Sequence, residues 1–456
     1  MKKLLLLATA TTLLSTGAYA ADVTTDSDDL KLQLLGRFNF QGGYTKQSKI
    51  PGLSQNISTN RKNFAFYTNA FTAAKITAEH EDLKYGAQLA LATATRGTAT
   101  PVYDRSHIFM ESNWGKIELG SSFSSSAKMA ITAFDIARAT GDDGTNYILS
   151  YIEEVPSGTN IGTASTKDPL SISAPSTPGF FLDSNNFDQN NGESSRKVTY
   201  YTPEMGGFQL GVSFIPDSGN LGNGPLKSSD KYNTATTYVT SVTDPVTQIT
   251  TQTTYSEQKP VKDAYTIALA YKHDISENVN FKVSVAGEYG QPANPGTISV
   301  QTTTPAPAGA PAGTAPTVTT TPTTTYKLAK LNTYNVGGVL TLGNYSLAAS
   351  YGDWGKSMTS SQVLGNQRST KFYTVGGSYA QGPVGASFVY SKSKQYGGSM
   401  DLYVLGTDYK LAPGLLPYAE VAYFNGKANL AAVYKSTAAK KNFKGWVFVF
   451  GAKLAF

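Results

Sequence analysis

Hydrophobic and polar residues alternate along much of this chain. In Lys444–Phe456 one face reads Trp446, Phe448, Phe450, Ala452, Leu454 and Phe456, and the other reads Gly445, Val447, Val449, Gly451, Lys453 and Ala455. A period of two is that of a β-strand, whose side chains point alternately to its two sides. In Leu30–Tyr44 the residues Leu30, Leu32, Leu34, Phe38, Phe40 and Tyr44 share one face, and Lys31, Gln33, Arg37, Asn39 and Gln41 the other. Ala264–Asp274 aligns Tyr265, Ile267, Leu269 and Tyr271, while Val279–Gly290 sets Phe281, Val283, Val285 and Tyr289 against Lys282, Ser284 and Glu288. The pattern predicts strands near 30–44, 64–80, 84–94, 105–113, 116–124, 196–202, 208–216 and 264–274. The rest fall near 279–290, 333–342, 345–353, 371–381, 385–393, 400–411, 416–425 and 444–456. Sixteen strands of membrane-crossing length, each with one apolar face, predict an all-β fold: a transmembrane antiparallel β-barrel.

The connections alternate in length. Tight ones fall at Glu81-Asp82-Leu83, Trp114-Gly115, Pro203–Gly207, Ile275–Asn278, Leu342-Gly343-Asn344, Gln381-Gly382-Pro383 and Ala412–Leu415. Long polar segments lie between them, the rhythm of short periplasmic turns and long external loops. It puts both termini on the periplasmic side. Residues 125–195 form the third external connection, 217–263 the fourth and 291–332 the fifth. The fourth is rich in Thr and has the makings of a small hairpin. The low-complexity core of the fifth, Pro305–Thr325, buries too little apolar surface to order itself, so a mobile outer loop is expected there. A soluble β-solenoid would show one fixed repeat length, and there is none.

The first twenty residues do not fit the strand pattern. Lys2 and Lys3 precede a short apolar run, Leu4 to Leu14, and Ala18-Tyr19-Ala20 supplies a small-x-small cleavage site. Residues 1–20 therefore read as a signal peptide, with cleavage near Ala20 and the mature chain 21–456 as a single barrel. The chain has no Cys, which excludes disulfides and Cys-based metal or redox chemistry. Mean hydropathy is −0.25. No later apolar stretch is long enough for a transmembrane helix. Net charge is +6, of which Lys2 and Lys3 supply two, too mild and dispersed for nucleic-acid binding. The three histidines, His80, His107 and His273, lack ligand spacing, so neither metal nor cofactor is expected. No Ser or Asp is paired with a positioned His, so the chain does not read as an enzyme. Gly141-Asp142-Asp143-Gly144 and Asp183–Glu193 are calcium-like in composition but fit no EF-hand loop.

Three segments carry a family resemblance. The terminal GWVFVFGAKLAF ends in Phe456, ESNWGKIELGSSF covers 111–123, and SSRKVTYYTPEMGGFQLGVSFIPD covers 194–217. Together they resemble the Gram-negative general (trimeric) porins, closest to the α-proteobacterial branch. The resemblance implies a homotrimer of water-filled barrels in an outer membrane containing lipopolysaccharide, each narrowed by an inward-folding third loop. It further implies that the barrel assembly machinery reads Phe456 as the C-terminal assembly signal.

A pore of this type selects by its diameter and by the field across its narrowest point. With Phe456 facing lipid, alternation sends Arg37, Lys75, Arg105 and His107 to the lumen as a basic wall. Arg61 and Arg96 fall at the outer mouth, and Lys84 and Lys116 at the periplasmic rim. Arg37 is placed mid-strand, where the lipid side would cost an Arg roughly 2–4 kcal/mol. The third loop supplies acids to face this wall: Asp135, Asp142, Asp143, Glu153 and Glu154. Passive diffusion of small hydrophilic solutes and ions is the function these features suggest. A barrel acting mainly as an adhesin or receptor, favoured by the Thr/Pro-rich loops, is the alternative. A substrate-specific channel would want an aromatic or Arg track, whereas the inward faces read as mainly Ser, Ala, Gly and scattered charge.

Overall fold

The computed structural model describes residues 21–24, 30–48, 63–94, 102–140, 151, 180–182, 195–219, 236–244, 246–257, 260–307, 311, 314–364, 366, 369–395, 397–428 and 441–456. The proposed signal peptide lies outside them. Sixteen antiparallel strands form a closed barrel. They are β1 (Leu30–Gln47), β2 (Phe64–His80), β3 (Leu83–Ala94), β4 (Val102–Ser112) and β5 (Gly115–Ser121). There follow β6 (Arg196–Tyr201), β7 (Phe208–Asp217), β8 (Val261–Ser276), β9 (Val279–Pro292), β10 (Leu331–Leu342) and β11 (Tyr345–Gly355). The set ends with β12 (Thr370–Gln381), β13 (Val384–Gln395), β14 (Gly398–Tyr409), β15 (Leu415–Ala428) and β16 (Lys441–Ala455). Each pairs with its neighbour in sequence, and β1 closes the ring by pairing with β16 over Arg37–Gln47.

Alternation assigns the faces. Phe38, Phe40, Tyr265, Ile267, Val285, Leu347, Phe388, Leu405 and Phe450 are exposed on the outside, where hydrocarbon would cover them, while Asn39, Gln41, Thr266, Ser284 and Ser387 are buried within. Short turns gather at one end. At the other, all connections are long except β13–β14, where only residues 396 and 397 intervene. Phe456 falls just beyond β16 and exchanges both backbone hydrogen bonds with Gly36, at 2.7 and 2.9 Å. Its ring lies over Gly36 on the lipid side, stacked on Phe38 at 5.9 Å between centroids. The segment Ala21–Thr24 pairs with Lys31–Leu34 along the same edge of β1.

The long fourth and fifth connections differ from the sequence expectation. A separate sheet joins Thr236–Thr243, Thr250–Glu257, Gly296–Thr304 and Thr317–Thr320 in order, with Thr324–Tyr326 paired to Gly296–Ile298. The hairpin expected in the fourth connection exists. Pro305–Thr325, expected as a mobile loop, instead places its threonine-rich half in strands. Backbone pairing needs no large core, and β-branched Thr suits an extended chain. Tyr326 anchors the sheet, donating its hydroxyl to Glu257 Oε1 at 2.9 Å, and burial raises its pKa above the ordinary phenol value.

Candidate functional site: a hooped inward loop and the wall it leaves bare

The chain leaving β5 turns into the barrel and runs round its inner wall. Ser124 caps the short helix α1 (Ser125–Met129), and Thr132 with Asp135 forms a reciprocal capping box on the 3-10 turn Ala133–Ile136. Wall hydroxyls and carboxylates hold the path. Ser125 N–H donates to Ser213 Oγ of β7 at 2.8 Å, and its hydroxyl meets Thr266 Oγ1 of β8 at 2.8 Å. Ala133 N–H donates to Thr374 Oγ1 of β12 at 2.8 Å, and Arg138 N–H to Ser387 Oγ of β13 at 2.7 Å. Ala139 N–H points to Asp408 of β14 at 3.4 Å. Thr140 gives both its N–H and its hydroxyl to Glu420 of β15, at 3.2 and 2.9 Å. Tyr151 then reaches β1, where its hydroxyl accepts from Gln41 Nε2 at 3.2 Å and its carbonyl from Thr45 Oγ1 at 2.9 Å. Burial raises the Tyr151 phenol pKa, and the bond from Gln41 opposes it.

Glycines pave this track. A Cβ on Gly337 of β10 would stand 2.1 Å from the carbonyl oxygen of Ile131, and one on Gly43 would stand 2.2 Å from the Tyr151 ring. Gly211 and Gly406 receive Met129 and the Arg138 backbone in the same way. The inner face of β13 is largely Ser, as the sequence suggested, with Ser387, Ser391 and Ser393 buried, but those of β14–β16 carry larger apolar residues. Val389, Leu402, Val404, Ala422, Phe424, Val447 and Val449 are all buried, and Ala133, Phe134 and Ala139 pack on them. Burying one such side chain contributes about 1.5–3 kcal/mol, so the loop is held by packing as well as by hydrogen bonds.

The return of the loop is also tied. Glu288 of β9 accepts from the N–H groups of Phe181 and Leu182 at 2.9 and 3.3 Å, and from Thr333 at 2.9 Å. Lys197 of β6 donates to the carbonyls of Ser122 and Ser195, joining the two ends of the connection.

The arc from β2 to β5 is met by the root of the loop, at Phe123 and Lys128, and holds the basic residues. Lys75 and Lys116 flank the inward ring of Phe109 at 5.2 and 5.4 Å, and Arg105 lies between Phe71 and Phe123 at 5.3 and 4.2 Å. Such stacking stiffens a cation without neutralising it. Arg37 is opposite Phe71 on the ladder, and Lys75, Gln88 and His107 share one row. Among the described residues, His107 Nδ1 has no hydrogen-bond partner. Arg61 and Arg96 lie outside the described residues, as do Asp142, Asp143, Glu153 and Glu154. Asp135 is exposed and accepts from Thr132 N–H at 2.6 Å as the helix cap.

At the root of the loop the charges are reversed from the expected acidic loop on a basic wall. The buried carboxylate Glu118 belongs to the wall and the ammonium of Lys128 to the loop. Glu118 also accepts from Lys116 at 2.8 Å and from Ser122 at 3.0 Å. Burial lowers the Lys128 pKa, and Glu118 opposes that shift. Glu118, Glu288, Asp408 and Glu420 were not singled out from sequence as loop anchors. Their inward parity was readable, but the loop segments they bind lie far away in the chain.

Breaking this pair has a measurable cost. Glu118→Gln removes the carboxylate that Lys128 and Lys116 share, and about 3 kcal/mol of local stability is expected to go, the lower end for a buried pair. Hydrogen exchange at the Lys128 and Ala130 amides reports it. Protection unchanged from the parent chain would show that Glu118 does not anchor α1.

A closed sixteen-stranded barrel with an internal loop defines a channel-type outer-membrane protein. The family profile described as Gram-negative porin matches residues 6–429, and the chain belongs to that family. Porins are channels rather than enzymes, and the family with its barrel fold implies an outer-membrane location. An uncharacterized protein of Rickettsia bellii is 36% identical over 466 residues, and one of Rickettsia conorii is 35% identical over 468, each matched over 100% of both chains. Among solved structures, an anion-selective porin from Comamonas acidovorans superposes with a TM-score of 0.51 at 13% identity. That match spans 94% of this chain and 100% of the other.

Proposed function

We propose that the protein is a general diffusion porin, a water-filled channel for small hydrophilic solutes and ions, working as a homotrimer after signal-peptide removal near Ala20. The observation carrying this reading is the hoop itself. A loop fastened from β7 round to β1 narrows the lumen and leaves one charged arc facing it, whereas a scaffold needs no constriction. Arg37, Lys75, Arg105 and His107 form the basic wall of that constriction. Arg61 and Arg96 guard the outer mouth, and Asp135, Asp142, Asp143, Glu153 and Glu154 supply the opposing acids.

The trimer reading draws on the outer surface. Phe38, Phe40, Phe64, Phe66, Phe450 and Phe456 cluster where β16, β1 and β2 meet, and rings without a polar handle suit a contact between subunits. The same exposed Phe456 is the assembly signal. The external threonine-rich sheet favours a second reading as adhesin or receptor.

Planar-bilayer recording separates the two. Purified, refolded protein is expected to give open-channel steps with weak ion preference. A silent bilayer from folded protein would leave the surface-structure reading.

A further inference from the structure

We propose that the threonine-rich sheet is an uncharged size filter across the outer mouth of the channel, held there by Tyr326. The inference rests on the channel reading, with the long connections outside. The sheet is built from the β7–β8 and β9–β10 connections, which leave the rim on one side of the ring. Its apolar root does not stay there. Tyr255, Tyr326 and Leu328 are buried in the same continuous cluster as Met400 of β14, Phe424 of β15 and Phe443 of β16, and Ile298 packs against it. Those three barrel residues lie towards the outer ends of their strands. Between β10, where the second connection ends, and β14 stand β11, β12 and β13. A segment that roots on β7–β10 and packs on β14–β16 therefore crosses the opening between them.

Tyr326 is the joint of this crossing. Its ring fills the space that a Cβ on Gly296 would need, 2.3 Å away, and meets the Tyr255 ring edge-on at 6.5 Å. Its hydroxyl goes to Glu257, itself buried. Away from the root the sheet is progressively freer. Thr250–Thr254 are half-buried, Thr317–Thr320 are exposed, and Val246 in the turn beyond is 87% exposed. The root bridges the mouth while the far end stands in solvent.

The mouth beside the sheet is filled as well. Phe181 and Leu182 of the returning loop pack with Ile215, Leu331, Trp354 and Met358 at the outer ends of β7–β11. Neither cluster includes a described residue of β1–β5, so the way in lies on the side of the charged arc. Among the five strands of the sheet Glu257 is the one charged residue, and the others are mainly Thr with some Ser, Gln and Val. Such a border offers hydroxyls and amides but no fixed field, so it sorts solutes by size. The basic arc behind it sorts them by sign.

The test is polymer exclusion by the full refolded chain in planar bilayers, with polyethylene glycols of rising size added to one side at a time. A polymer that enters lowers the conductance, and one that is excluded leaves it unchanged. Insertion direction is read from Val246→Cys, a unique thiol because the chain has no Cys, labelled with biotin and met by streptavidin on one side. In the parent channel the outer side should exclude smaller polymers than the periplasmic side does. Tyr326→Ala unseats the root, so the outer limit should rise to the periplasmic one while ion selectivity stays at the parent value. Tyr326→Phe keeps the ring and should hold the parent's outer limit, which separates an unseated root from a damaged barrel. Equal limits on the two sides of the parent channel would overturn the filter, as would an outer limit unmoved by Tyr326→Ala. A selectivity change in Tyr326→Ala would also overturn it, because the sheet would then be acting on the constriction. A silent bilayer from the folded parent chain is the different result that rejects the channel reading, and this inference with it.

Discussion

Gly337→Val is expected to lift the inward loop from the wall and change the channel more than any other single inner-face substitution. The Ile131 carbonyl oxygen occupies the space that a Cβ would need, 2.1 Å away. A backbone atom cannot swing aside as a side-chain tip can, so the whole segment from α1 to the 3-10 turn must shift. Overpacking of this kind costs typically 1–3 kcal/mol and is relieved by moving the softer partner. Here that partner is the loop, because β10 is locked between β9 and β11 by full ladders. Single-channel recordings should show a changed conductance with added open-state noise, and protease should cut the loop in the folded barrel. Gly338→Val is the matched control, since Gly338 faces away from the loop. Parent-like conductance and protease resistance in Gly337→Val would show that the loop is not seated at β10.

Arg37→Glu is expected to move ion selectivity towards cations. Replacing +1 by −1 about 8 Å from a permeating ion in water changes its energy by roughly 1 kcal/mol, about a five-fold shift in relative permeability. Reversal potential across a salt gradient measures this. Salt must be kept near 0.1 M, where the screening length is about 10 Å; at 1 M it falls to about 3 Å and the shift should largely vanish. No movement at low salt would remove Arg37 from the constriction. Arg105→Glu would confound the result, because Arg105 is stacked between Phe71 and Phe123.

The barrel was legible because its signal is local. Each strand announces itself within ten residues, and the ends of β2, β3 and β12 differ from the sequence reading by no more than one residue. The inner face of β14–β16 was misread for a physical reason. Val404, Phe424 and Val447 stand where lumen residues ought to be small or polar, and the loop laid over them explains their apolarity. The same holds for Glu420, which reads as a pore charge until Thr140, 280 positions away, is seen bonded to it. Alternation tells which way a side chain points. It does not tell what stands opposite.

The hoop also divides the lumen into positions that can vary and positions that cannot. Along β7–β15 the inward residues fit one particular strand of backbone, so a change that alters permeation there must first preserve a seat. On β2–β5 the contacts described above are stacked rings and the Glu118 pair, not seats for the loop's backbone. A lineage adapting this channel to a new diet of solutes would be expected to write most of its differences into that quarter of the wall, and to leave the rest nearly silent.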